Sequence, residues 1–350
     1  MRVRVVLIVM PLLACGGTRM DEAAVQRSTP VVAAANRAAA TITALDLRAR
    51  IGFLASDALR GRDTPSPGLE AAAAYIASEF ATMGLQPAGD SGSFVQRYPY
   101  ITDANNGAVE HRPPNVVAVL EGADPRLRDT YVVFSAHMDH VGVGQPDARG
   151  DSIYNGADDD ASGTSAVLEI AEAFASMALR PARSLIFLTV SGEEKGLLGS
   201  AHFTDHPPVP ARQMIANINI DMIGRNWADT VAAIGIEYSS LGPLARQVAQ
   251  LHPELGMTVI DDAWPGERFF SRSDHFNFAR KEIPALFFFS GTHEDYHRPS
   301  DHVEKIDEEK TARIARLIFF LGHAIATDTV APRWTEEGLR QVRELTRAPE

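Results

Sequence analysis

Histidine and carboxylate side chains recur in this chain directly after runs of β-forming residues. Tyr131 to Ser135 leads into Ala136-His137-Met138-Asp139-His140, Ser184 to Val190 into Gly192-Glu193-Glu194, and Met214 to Ile220 into Asp221. Ala285 to Phe289 is followed by a polar loop that contains His293 and His297. Zinc takes imidazole and carboxylate ligands, and a catalytic zinc keeps positions open for water and substrate. Open α/β sheets place ligands beyond the carboxyl ends of their strands, so one site could collect all of these groups.

A fifth segment, Gly156-Ala157-Asp158-Asp159-Asp160-Ala161-Ser162-Gly163, stands before a helical stretch. Alone it reads as a helix start, with Ser162 or Asp160 capping free amides and carboxylates at the positive end of the dipole. A calcium loop is another reading, but the alternating Asp/Asn ladder with a terminal Glu is missing. Two neighbouring zinc ions need one shared carboxylate and two further ligands each. His137, Asp221, Glu194 and His297 around a bridging Asp159 supply that count. Each of these residues singly is also readable as a surface or satisfied core group. Together, that reading asks for the same coincidence at every position.

The elements that must hold these residues alternate. Short apolar runs at Asn115 to Leu120, Tyr131 to Ser135, Ser184 to Val190, Met214 to Ile220, Val231 to Ile236 and Ala285 to Phe289 are interleaved with helical stretches at Ser162 to Met177, Gly196 to Phe203 and Leu241 to Leu251. Two opening helices are expected at Leu45 to Leu54 and Gly68 to Met83, and a long amphipathic one from Glu308 to Ala326. Pro, Gly and Asn between Gln86 and Pro114 mark a loop or small excursion. The alternation predicts an α/β sandwich with a largely parallel central sheet.

Arg2 and Arg4 precede the apolar run Val5 to Leu13, which reads as an export signal too short to span a bilayer. The run ends in Leu12-Leu13-Ala14-Cys15, and Cys15 is the only cysteine. A lone Cys is commonly a buried hydrophobe, but this placement resembles a bacterial lipoprotein signal. The resemblance implies a signal over 1–14, a lipid on Cys15, and attachment to the outer membrane, since Gly16 rather than Asp follows. Residues 15–41, Ala-rich with little bulky apolar content, read as a flexible tether. Residues 42–350 are expected to form a single domain. The formal charge of −12 would repel a phosphate backbone, so nucleic acid is not an expected partner.

Five ordered segments carry a resemblance to a known family: Ser135-Ala136-His137-Met138-Asp139-His140, Asn155 to Gly163, Gly192-Glu193-Glu194-Lys195-Gly196-Leu197-Leu198-Gly199-Ser200, Asn219-Ile220-Asp221-Met222-Ile223-Gly224 and Tyr296-His297-Arg298-Pro299-Ser300-Asp301. They resemble the motifs of metallopeptidase family 28, which includes bacterial leucyl aminopeptidase, aminopeptidase Y, glutamate carboxypeptidase II and glutaminyl cyclase. The resemblance covers roughly residues 45 to 325. It implies a three-layer αβα sandwich of the zinc-exopeptidase type with a mixed, largely parallel sheet. It implies two Zn2+ ions, one on His137 and Asp221, the other on Glu194 and His297, with Asp159 between them. Glu193 would be the general base toward a metal-bridged water, and Asp139 would accept the ring N–H of His137. Tyr296 would help hold a developing oxyanion or form an aromatic wall of the pocket. His140, His275 and His302 take structural or supporting roles. Arg298 departs from the small residues common in relatives, and the stretch from Gly84 to Asn115 is too short for the insert that longer members carry.

The expected function is a zinc-dependent exopeptidase that removes residues from free peptide N-termini. Glutaminyl cyclase action is an alternative, and so is carboxypeptidase action, for which Arg225 and Arg298 could hold a terminal carboxylate. A binding protein on an inactive scaffold is the reading from another class. Against it, all five ligands and the base are present.

Overall fold

The apolar runs that end in candidate ligands are buried strands. Their β-branched and aromatic residues suit a pleated backbone covered on both faces, where a continuous apolar run replaces strict alternation. The structure, a computed structural model, describes residues 22–104 and 107–347; the expected signal over 1–14 and Cys15 lie outside the described residues. In chain order the strands are β1 (Gln86–Pro87), β2 (Val95–Arg97), β3 (Tyr100–Ala104), β4 (Gly107–His111), β5 (Pro114–Leu120), β6 (Tyr131–His137), β7 (Ser184–Val190), β8 (Met214–Ile220), β9 (Thr230–Ile234), β10 (Thr258–Ile260) and β11 (Ala285–Phe289). The α-helices are α1 (Glu22–Ala39), α2 (Ala44–Leu54), α3 (Pro67–Thr82), α4 (Gly163–Ser176), α5 (Leu198–Asp205), α6 (Leu241–Leu251), α7 (His275–Arg280), α8 (Glu308–Thr327) and α9 (Glu336–Arg347).

The main sheet runs in the order β1-β5-β7-β6-β8-β11-β9-β10, with β2 also paired to β5. Its centre, β7-β6-β8-β11, is parallel. The pairings β5 to β7 and β9 to β11 are antiparallel, so the sheet is mixed. Side chains alternate across it: Val132, Phe134 and Ala136 of β6 enter the core beneath α2, α3, α4 and α8, while Val133 enters a second core with Phe203 of α5 and Phe278 of α7. These are the three layers of the expected sandwich. Helix α8 starts where the Asp307 side chain accepts the Lys310 amide, and it buries Ile314, Leu317, Ile318, Leu321 and Ile325. Gly322 lets it lie close on the sheet, because a Cβ there would come within 2.2 Å of Phe134 Cζ.

Two expectations need correction. Residues 22–39 lie within the expected tether, yet they form α1, and Ala34, Ala35, Ala38 and Ala39 are buried in the main core. Low bulky content does not prevent burial, since small side chains let a helix approach its neighbours closely. The excursion between Gln86 and Pro114 holds four short strands, one pair of which, β3 and β4, is a separate hairpin.

Arg62 joins the loops around the site from within. It is fully buried, and its guanidinium donates to the carbonyls of Leu54, Met138, Asn155 and Gly156. Burial lowers its pKa to about 10, which still leaves the cation intact at neutral pH. Arg62→Met keeps most of the stem volume but removes every donor to those carbonyls. A loss of about 3 kcal/mol in unfolding free energy is expected from urea titration; a change within about 0.5 kcal/mol, the scale of ordinary surface substitutions, would contradict this role.

Candidate metal centre

Each candidate ligand arrives at the carboxyl end of the sheet. His137 is the last residue of β6, Asp221 follows β8, Glu194 follows β7, and His297 lies on the loop after β11. Asp159 sits in the irregular turn Ala157–Ser162 before α4, where its own φ and ψ of −103° and 98° interrupt the helix. His297 adopts a φ of 53°, in the left-handed region that few side chains other than Asn, Asp and His enter.

The donors form two groups that share Asp159. In the first, His137 Nε2 is 3.2 Å from Asp159 Oδ1 and 3.6 Å from Asp221 Oδ1. In the second, His297 Nε2 is 3.1 Å from Asp159 Oδ2 and 3.1 Å from Glu194 Oε2. Asp159 thus turns one oxygen to each group. The second group also contains His140, whose Nδ1 is 2.8 Å from Glu194 Oε1. His140 therefore does not stand behind the ligands as expected; three residues beyond His137 at a strand end, it stands among them.

The donor set fits a divalent cation. Asp159 Oδ2, Glu194 Oε1 and both ring nitrogens of His140 are buried with no hydrogen-bond partner, a costly arrangement unless something else satisfies them. The site also lacks positive charge. Burial opposes protonation of His137 and His297, yet Asp221 and Glu193 hold the first well above its ordinary pKa, and Asp159 and Glu194 raise the second to about 10. A bound metal ion answers the same deficit.

The two adjacent glutamates are tuned in opposite directions. Burial and Asp159 would raise Glu194, but His140 and His297 outweigh them and bring it to about 2. Burial pushes Glu193 well above the ordinary carboxylate range; His137 opposes this, while Asp274 and Asp221 add to it. Glu193 belongs to neither donor group and lines a cleft with His137, Asp159, Asp221 and Tyr296. Such a divergence between neighbouring carboxyls separates a ligand from a proton acceptor.

Around the donors runs a frame of hydrogen bonds. Asp160 accepts from the amides of His137 (3.2 Å), Gly163 (2.8 Å) and Met222 (3.1 Å), so it ties β6, α4 and the end of β8 together. The helix-start reading of the Asp cluster therefore holds for Asp160, beside the donor reading for Asp159. Asp139 differs from expectation. Its Oδ1 is 3.7 Å from His137 Nδ1, whereas its backbone carbonyl is at 3.2 Å and receives the ring N–H. The carboxylate is engaged elsewhere: it accepts the Gly192 amide at 2.8 Å and the Thr64 hydroxyl at 3.0 Å, which fixes the loop that carries Glu193. Ser273 donates to Asp221 Oδ2 at 2.8 Å and leaves Oδ1 to face His137.

Tyr296 stacks on His297, and burial keeps its phenol protonated far above neutral pH. His275 is buried between Phe270 and Phe287, a structural role as expected, and His302 lies 3.6 Å from Asp151. The rest of the cleft wall is mostly apolar, with Met222, Phe269, Phe287 and Phe289 beside Thr292, and its cation is Arg272. Neither Arg225 nor Arg298 lines it. Arg225 is paired with Asp295 at 3.0 Å. Arg272, Arg62 and Thr64 escape a reading of ligand types alone; only the fold brings them here.

A family model described as Peptidase family M28 matches residues 115–321. Over 188 residues the chain is 30% identical to a probable zinc metalloprotease of Pyrenophora tritici-repentis, a similarity that covers 52% of this chain and 41% of that protein. It spans 38% to 60% of the length of this and two further curated relatives. Its fold is similar to that of the LapA aminopeptidase of Legionella pneumophila, with a TM-score of 0.63 and 21% identity over 84% of this chain and 75% of that one. It is also similar to that of a glutaminyl cyclase of Porphyromonas gingivalis, with a TM-score of 0.60 and 18% identity over 80% and 97%. The matched segment is more than half of the sequence and contains His137, Asp159, Glu193, Glu194, Asp221 and His297, and the chain belongs to peptidase family M28.

Proposed function

We propose that this protein is a zinc-dependent aminopeptidase working with two Zn2+ ions, held by His137, Asp159 and Asp221 and by Asp159, Glu194 and His297. The observation that carries this reading is Asp159, which turns one oxygen to each donor group while Glu193, outside both groups, faces the same cleft. Zinc at such a site supplies Lewis acidity, polarising a carbonyl and making water easier to deprotonate. Glu193 then accepts the water proton and delivers it to the leaving amine, the role open to a carboxylate that faces the cleft and belongs to neither donor group. Tyr296, protonated and within the cleft wall, offers its hydroxyl to the oxyanion that develops on the scissile carbonyl. Asp139 keeps Glu193 in place through the amide of Gly192.

The cleft also supports the choice of substrate end. The Glu193 carboxylate, which no metal ion takes up, favours an incoming ammonium, and Met222, Phe269, Phe287 and Phe289 favour an apolar first side chain. Acetylating the N-terminus of a peptide with an apolar first residue should lower kcat/KM by roughly 10²-fold or more, since a charged contact in a desolvated site is removed. Rapid release of C-terminal residues from the N-blocked peptide would support carboxypeptidase action instead, with Arg272 the cation in the cleft. Cyclisation of N-terminal glutamine with no hydrolysis would support the cyclase alternative.

We also propose that Cys15 carries lipid and anchors the protein in the cell envelope, at the outer membrane facing the periplasm. None of the described helices is long and apolar enough to cross a membrane, and acyl chains on a terminal Cys would hold the body at the surface. Cys15→Ser should move the protein into the soluble fraction; a variant that sediments with membranes as the parent does would refute the anchor.

A further inference from the structure

We propose that His140 is a direct ligand, through Nδ1, of the metal ion at Asp159, Glu194 and His297. This rests on the two-ion reading of the site. One ion then has four protein donors and its neighbour, at His137, Asp159 and Asp221, has three.

The imidazole of His140 is fully buried, and neither ring nitrogen has a hydrogen-bond partner. Both ring nitrogens of His275 are likewise unpartnered, but that ring lies between Phe270 and Phe287, whereas His140 lies against the donors of the site. Nδ1 is not remote from polar atoms: it lies 2.8 Å from Glu194 Oε1 and 3.7 Å from Asp159 Oδ2. The contact with Glu194 lacks hydrogen-bond alignment, and both of its atoms stay unpaired. Donors that crowd together without pairing point at a common centre. Tetrahedral ligands at ordinary zinc distances lie about 3.3 Å apart; the contacts of His140 and His297 with Asp159 and Glu194 measure 2.8 to 3.7 Å, and one donor atom from each of the four residues lies within 4.8 Å of the others.

The surrounding chain makes room for this ring. Gly156, on the loop that carries Asp159, has a φ of 59°, and a Cβ there would come within 2.6 Å of His140 Cδ2. Arg62 clamps both sides of the gap, donating to the carbonyls of Met138 and Gly156 and accepting the His140 amide on its own carbonyl. The ring of His297 meets that of His140 edge-on at 5.5 Å.

The asymmetry sets different affinities for the two ions. Four protein donors close a tetrahedral zinc, as at sites where the metal is held rather than used, whereas three leave a position open. The ion at His140, with the fuller set of protein donors, is the tightly held one.

X-ray absorption at the zinc edge of the purified full chain reads this directly. Fully loaded protein should show three imidazoles over two ions, roughly 1.5 per zinc, and protein loaded with a single equivalent should show two. His140→Gln should lower the loaded average to roughly 1.0 and weaken the tighter site, measured by chelator competition, by on the order of 10²-fold or more, at least what is lost when a group outside the ligand shell is removed. An average of one imidazole per zinc in the parent overturns the proposal, as does a folded His140→Gln variant with unchanged tight binding. If the variant does not fold, the imidazole count of the parent decides. A single bound ion with two imidazoles would refute the two-ion reading and leave His140 as a ligand.

Discussion

Glu193→Gln is expected to lower kcat by roughly 10²- to 10⁴-fold, the range for loss of a positioned general base, while zinc content stays at the parental level. The amide keeps the size of the side chain and can still hydrogen-bond, but it cannot accept a proton. Glu193 is outside both donor groups, so its loss leaves the ligands complete. Its neighbour makes the opposite demand. Glu194 turns Oε1 to His140 and Oε2 to His297, and Glu194→Gln removes a charged donor from that ion. Metal content should fall first and activity should follow it. Elemental analysis beside peptide turnover separates the two. If Glu193→Gln loses metal while Glu194→Gln keeps it, the roles are exchanged; unchanged turnover in both would dismiss the catalytic assignment.

The contrast between those neighbours was readable in the sequence because both follow one apolar strand, β7, into a tight turn. The same is true of His137 after β6 and Asp221 after β8. Buried parallel strands announce themselves as short β-branched runs, and their carboxyl ends are where a ligand must be. What the sequence hid is what depends on three-dimensional return. Arg62 lies 76 residues before Met138 and 94 before Gly156 in the chain, so nothing local marks it as their partner. The type and spacing of His140 suit a supporting residue as well as a ligand; only the direction of its ring, set by Gly156 and Arg62, decides between them. The left-handed backbone at His297 is likewise invisible in the residue type. Helix α1 is silent in the sequence for a different reason. Its alanines have too little apolar area to signal a buried face, yet their size is what lets the helix seat against α4 and α8.

Asp159→Asn should be the most damaging single change at the site, because among the described residues no other serves both donor groups. Oδ1 faces His137 and Oδ2 faces His297, so replacing one oxygen by an amide nitrogen removes a donor from one ion and the shared negative charge from both. Amide nitrogen is no metal ligand, and two cations held close together need an anion between them to offset their repulsion. Zinc after dialysis is expected to fall below one equivalent, and turnover by on the order of 10³-fold or more, since Lewis acidity and charge stabilisation are lost together. Asp160→Asn provides the control from the adjacent residue. Asp160 accepts three backbone amides and faces neither donor group, so that variant should retain zinc and lose about 1–3 kcal/mol of stability by urea titration. A folded Asp159→Asn protein with two equivalents of zinc would show that the ions do not share this carboxylate, and the dinuclear site would have to be abandoned.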